Sequence, residues 1–79
     1  MNKRPYFIRA EWDEEANVFV ASSEDVPGLA TEGETLEGLI EKLKIMIPEL
    51  LEANGMDIEL ETSFEVFTRR FAIAHRAAV

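Results

Sequence analysis

The side chains able to do chemistry in this chain are few and scattered. His75 is the only histidine and there is no cysteine, so neither a thiolate site nor a pair of imidazoles can hold a metal. A lone histidine this near the C-terminal end reads as a surface residue rather than a base. Ser22, Ser23 and Ser63 have no histidine at a plausible position to take their protons, and an unassisted hydroxyl is a weak nucleophile. The acid pair Glu24-Asp25 and the run Asp13-Glu14-Glu15 offer oxygens to a hard cation, but adjacent acids in turns read first as solvated groups. Gly28, Gly33 and Gly38 recur without a following lysine, which leaves no phosphate-cradling loop. Trp12 and Tyr6 read as packing residues rather than platforms for bases. No catalytic, cofactor-binding or metal-ligating set is expected, and function falls to surfaces.

Charge narrows what such a surface can meet. All sixteen acids lie between Glu11 and Glu65, where Lys42 and Lys44 are the only bases, a formal charge of −14 within a total of −8. Lys3, Arg4 and Arg9 make one end basic, and Arg69, Arg70 and Arg76 the other. Nucleic acid is held chiefly by phosphate neutralisation, which this middle opposes. Direct DNA or RNA binding by the body of the domain is therefore not expected. An acidic surface suits a basic protein partner, whose encounter it steers; the plainer reading is that it keeps a small protein soluble. Glu24, Asp25, Glu32 and Glu34 are the candidate partner-binding acids.

The elements that position these residues can be read in order. Seventy-nine residues make one domain, 1–79 with a core of about 6–73, and a chain this short buries only about 60% of the surface its unfolded form exposes. Arg9 and Glu11 interrupt the early apolar residues before a signal peptide could form, and no run is long enough to span a membrane, so a cytoplasmic protein is expected. Tyr6, Ile8, Ala10 and Trp12 alternate with Phe7, Arg9 and Glu11 as in a strand. Asp13 to Asn17 then turns the chain into a second strand, Val18 to Ser22, in an antiparallel hairpin. Pro27-Gly28 supplies the central pair of a type II turn, and Leu29 to Glu32, ended by Gly33, is a short edge strand. Thr35 stands where a helix N-cap belongs.

From Leu36 the period becomes helical. Leu36, Leu39, Ile40, Leu43, Met46 or Ile47, Leu50 and Leu51 share one face, and Glu37, Glu41, Lys44, Glu49 and Glu52 largely take the other. Pro48 removes the hydrogen bond to the Lys44 carbonyl, and a kink near Ile45 to Ile47 is expected. Gly55 is the expected left-handed residue after the helix. Ile58, Leu60, Phe64 and Val66 then alternate with polar residues as a half-buried strand, after which Phe67, Phe71 and Ile73 invert the phase. Either a bulge intervenes near Thr68, or the strand buries opposite faces along its length. Continued strand is favoured over a C-terminal helix for the aromatic and β-branched residues here.

These elements give an α+β domain of two layers, β-β-β-α-β, with one helix across one face of an antiparallel sheet. The other face is left to solvent or to another chain. Phe7, Phe19, Phe67, Phe71 and Ile73 are the candidates to lie there, so a homo-oligomer, dimer or higher, is expected.

The segments Tyr6-Phe-Ile-Arg-Ala-Glu-Trp-Asp, Val18 through Val-Pro-Gly-Leu29, and Gly33-Glu-Thr-Leu-Glu before an amphipathic helix resemble the HicB-like antitoxin superfamily, in particular its short stand-alone members. The likeness covers about residues 6 to 73. It implies a fold of the partial double-stranded-RNA-binding-domain or degraded ribonuclease-H type, self-association, and occlusion of a small basic HicA-type toxin that cleaves messenger RNA. Pro27, Gly28, Gly33, Thr35 and Gly55 stand as structural positions. Gly38 departs from the pattern, since many relatives place a glutamate there to complete a capping box. Only Ala74 to Val79 follow the last strand, where many HicB proteins continue into a DNA-binding module.

Two functions follow from different classes. One is an antitoxin-like binding module for a basic ribonuclease. The other is a stand-alone oligomeric domain with a different client or a small ligand and no toxin partner.

Overall fold

The computed structural model describes residues 4–77. Lys3 of the basic N-terminal end, and Ala78 and Val79 of the C-terminal stretch, lie outside the described residues. Four strands and one helix follow in the order β1 (Tyr6–Asp13), β2 (Val18–Ser22), β3 (Thr31–Gly33), α1 (Leu36–Ala53) and β4 (Phe64–Arg69).

The β1–β2 turn follows from one aspartate. The Asp13 carboxylate accepts from the Glu15 and Ala16 N–H groups at 2.9 and 3.2 Å, and the Asn17 N–H donates to the Asp13 carbonyl. Asn17 sits at φ 56°, a left-handed conformation that asparagine tolerates better than most residues. The resulting register sets Trp12 opposite Phe19 and Ala10 opposite Ala21. Directly opposed side chains share a face. Phe19 therefore packs with Trp12 against the covered side, ring centroids 4.9 Å apart, and not on the open face where alternation from its own strand had placed it.

The helix is closed at both ends by local groups. Thr35, extended at φ −124°, ψ 158°, accepts from the Gly38 N–H at 3.0 Å. At the other end the Gly55 N–H donates to the Glu52 carbonyl and the Met56 N–H to the Leu51 carbonyl, both at 3.0 Å, with Gly55 at φ 72°. That pair of bonds is a Schellman motif. The helix continues through Pro48, and Lys44, whose carbonyl loses its helical partner there, is on the exposed side of the helix.

The sheet is mixed, in the order β3-β2-β1-β4. β1–β2 and β2–β3 are antiparallel, but β4 runs parallel to β1 rather than antiparallel. The helix explains the difference. Its 18 residues rise about 27 Å, which matches the roughly 26 Å of an eight-residue strand. It thus returns the chain to the end of the sheet where β1 begins, and β4 must leave in the same direction.

Two further boundaries differ from the sequence pattern. The third strand is Thr31–Gly33, because Val26 and Leu29 are drawn into the core beneath the helix instead. The alternation from Ile58 to Ser63 does not form strand either. Phe64 lies opposite Tyr6, the first residue of β1; apart from the Ser63 carbonyl, which accepts from the Tyr6 N–H at 3.0 Å, the residues before it run past the end of the sheet.

The core is one layer of contact. Ile8, Ala10 and Ala21 from the sheet meet Leu39, Leu43, Ile47 and Leu51 from the helix, with Val26 and Leu29 closing one side. Phe64 and Val66 pack against its margin.

Candidate interaction surface

The loop from Ser22 to Leu29 is built as a clamp on the start of β1. The Ser23 hydroxyl donates to the Phe7 carbonyl at 2.6 Å and accepts from the Asp25 and Val26 N–H groups. The Asp25 carboxylate accepts from the Phe7 N–H at 2.8 Å and pairs with Arg4 at 3.2 Å. The Phe7 N–H, then the Arg4 guanidinium, hold the Asp25 carboxyl below the usual carboxylate range. Asp25, read above as a partner-binding acid, is thus committed to the fold. Glu24, Glu32 and Glu34 are exposed, and the Glu32 backbone carbonyl accepts from Lys42 Nζ.

Of the positions singled out by the resemblance, Gly28 has φ 83°, and the Leu29 N–H donates to the Val26 carbonyl at 3.2 Å, closing the turn around Pro27. The Asn54 amide donates to the Pro27 and Leu50 carbonyls, which fastens this turn to the end of the helix. Gly33 serves a different need: a Cβ there would come within 3.0 Å of the Leu39 backbone, so a side chain would push the helix off β3.

Sequence alternation pointed to the open face, and part of its content is there. Phe7 and Phe67 meet with ring centroids 4.8 Å apart, and the Arg9 guanidinium lies 5.7 Å from the Phe7 ring. No bulge interrupts β4: its register with β1 runs unbroken from Phe64 to Arg69. The strand therefore presents Phe64 and Val66 to the helix side and Glu65, Phe67 and Arg69 to the open side. Phe67 is 53% exposed.

Beyond Arg69 the chain is neither strand nor helix through residue 77. Phe71 and Ile73 stand out at 74% and 67% exposed. The molecule measures 60 × 28 × 19 Å with a radius of gyration of 15.7 Å, against about 12 Å for a compact chain of this length. Arg70 reaches back, its guanidinium 4.2 Å from the Trp12 ring centroid, while among the described residues nothing accepts from the buried Trp12 Nε1–H. On the other flank of β4, Ile58 is exposed and Leu60 fully so. Exposed apolar residues thus lie on β4 and on the stretches that enter and leave it at its two ends. Ile58 and Leu60 were not legible among them, because their alternation imitates a buried strand.

Chemistry beyond binding has little to work with. Among the described residues no group of three or more His, Cys, Asp and Glu could hold a metal ion. An open depression of about 350 Å³ is lined by Glu11, Trp12, Asp13, Val20 and Ser22. It sets two carboxylates beside a hydroxyl, with no imidazole or amine in its lining. His75 is exposed on the C-terminal stretch. Among the described residues no helix is long and apolar enough to cross a membrane.

A two-layer domain with one helix, one open sheet face and exposed apolar residues on and around one edge strand is the class these features define. Residues 5–76 match the family described as a domain of unknown function (DUF1902), and the chain belongs to that family. Its fold is similar to the crystal structure of hypothetical protein TTHA1013 from the extremely thermophilic bacterium Thermus thermophilus. The two share 49% identity over 90% of this chain and 100% of that one, with a TM-score of 0.78. No curated protein matches the chain.

Proposed function

We propose that this protein is a non-enzymatic binding domain that works as a homo-oligomer. The observation that carries the reading is the exposure of Phe67 on β4 and of Ile58, Leu60, Phe71 and Ile73 on the stretches that enter and leave it, large apolar side chains that an isolated soluble domain seldom leaves bare in such number. The membership of a family without an assigned activity fits a stand-alone domain with its own client.

The client's chemistry is suggested by the far side of the molecule. Glu37, Glu41, Glu49 and Glu52 are all exposed on the helix, and Lys44 offsets only Glu41, at 2.8 Å. This face favours a basic protein, and the resemblance to HicB-like antitoxins makes a small basic RNA-cleaving toxin the specific candidate. Co-expression with a HicA-type protein encoded beside this chain tests it. Relief of growth arrest is expected; persistent arrest with both proteins soluble contradicts the toxin reading and leaves the oligomeric domain with another client.

A further inference from the structure

We propose that β4 pairs antiparallel with β4 of a second copy across a two-fold axis at Phe67, joining two four-stranded sheets into one of eight strands. This rests on the self-association proposed above and gives it a surface and a register.

β4 is an edge strand, so its outward N–H and C=O groups have no partner strand within the described residues, and an unprotected edge is a template for another strand. Its sequence is self-complementary about Phe67. In an antiparallel pair centred there, Glu65 of each copy faces Arg69 of the other, and Phe67 faces Phe67. Among the described residues neither the Glu65 nor the Arg69 side chain makes an ion pair or hydrogen bond within its own chain. Both are exposed and on the open face. Other registers lose this match. An axis at Glu65 or Arg69 sets like charges opposite, which is unfavourable. An axis at Val66 or Thr68 gives neither residue an opposite charge. With the axis at Phe67, each Phe7–Phe67 contact also joins its copy in a row of four rings.

The flanks are brought near each other by the same axis, although neither is strand and the strict register sets Phe71 opposite Ser63 and Leu60 opposite Ala74 rather than large apolar side chains against one another. The same axis lays the stretch after β4 of one copy alongside the stretch before β4 of the other. The first carries Phe71 and Ile73 and the second Ile58 and Leu60, the exposed apolar residues that the single chain leaves uncovered. The first carries the basic Arg76 and the second the acidic Asp57 and Glu61. Because a two-fold axis of this kind runs perpendicular to the sheet, both helices lie on the same side of it.

Charge reversal tests the register on the full chain. Sedimentation of Glu65→Arg and of Arg69→Glu, each alone, should show self-association weakened by about tenfold or more, since each variant sets two like-charge pairs across the axis. Mixed in equal amounts the two variants should associate again, because the mixed dimer restores both opposite-charge pairs. Circular dichroism confirms that each variant is folded. A wild-type oligomer that neither substitution weakens, or a mixture that stays as weak as its components, overturns the β4 pairing while leaving self-association standing. A monomeric wild type overturns both.

Discussion

On the covered face of the sheet, Ile8, Ala10 and Ala21 lie under Leu39, Leu43, Ile47 and Leu51 and almost none of their surface reaches solvent. On β4 the same period-two alternation leaves Phe67 half exposed, and beyond the strand Phe71 and Ile73 are more exposed still. The difference lies in what one helix can cover. A helix with its side chains is about 10 Å across, whereas four strands set about 4.8 Å apart make a sheet wider than that. α1 lies closest to β3 and β2, and β4 is at the opposite edge. The residues farthest from the helix are therefore the ones it leaves exposed. A small domain can satisfy its core with local pieces and still leave one edge of its sheet uncovered.

Substitutions on the two sides should separate folding from association. The largest effect is expected at Leu43, fully buried at the centre of the covered side. Leu43→Ala should cost about 2–5 kcal/mol, much of the stability of a domain this size, measured as the loss of the cooperative thermal transition. Association should fall with it, since β4 is held only by the folded sheet.

A smaller effect is expected where the loop clamps β1. The Asp25 carboxyl is held below its ordinary value of 3.8, so the charged form is favoured by folding. The stabilisation is full above that value and is lost as pH falls through the folded-state value. Asp25→Asn should lower the melting temperature at pH 7, and the gap from the parent should narrow by pH 3. An unchanged gap across that range would mean that the contacts of the carboxylate with Phe7 and Arg4 do not hold the loop.

The smallest effect on folding is expected at Phe67. Phe67→Ser should cost the dilute, dissociated chain about 1 kcal/mol through the lost ring contact with Phe7, well short of Leu43→Ala, yet abolish self-association in sedimentation. If the substitution unfolds the chain as Leu43→Ala does, the contrast between the two sides fails.

Much of this was legible in the sequence, and the exceptions have physical causes. The hairpin, the Thr35 cap and the Gly55 terminus are fixed by residues close in sequence, so local chemistry predicts them. The parallel pairing of β4 with β1 depends on the length of the helix between β3 and β4, which no local alternation encodes. Phe19 was assigned to the wrong face because its side is set by the Asp13 turn, through the Trp12 pairing, rather than by its own strand. Asp25 looked like a free surface acid, since nothing in its neighbours announces that it caps the Phe7 N–H, 18 residues earlier. Phase inversion at Phe67 did point to the open side of the sheet, but the alternation through Ile58 and Leu60 concealed the other flank of the same strand.

The central claim, that the β4 edge is completed by a second copy, is tested most directly by sedimentation equilibrium of the unaltered protein at micromolar concentration. The account predicts a mass at least twice that of the 9.0 kDa chain, falling on dilution. A strict monomer over that range would contradict it.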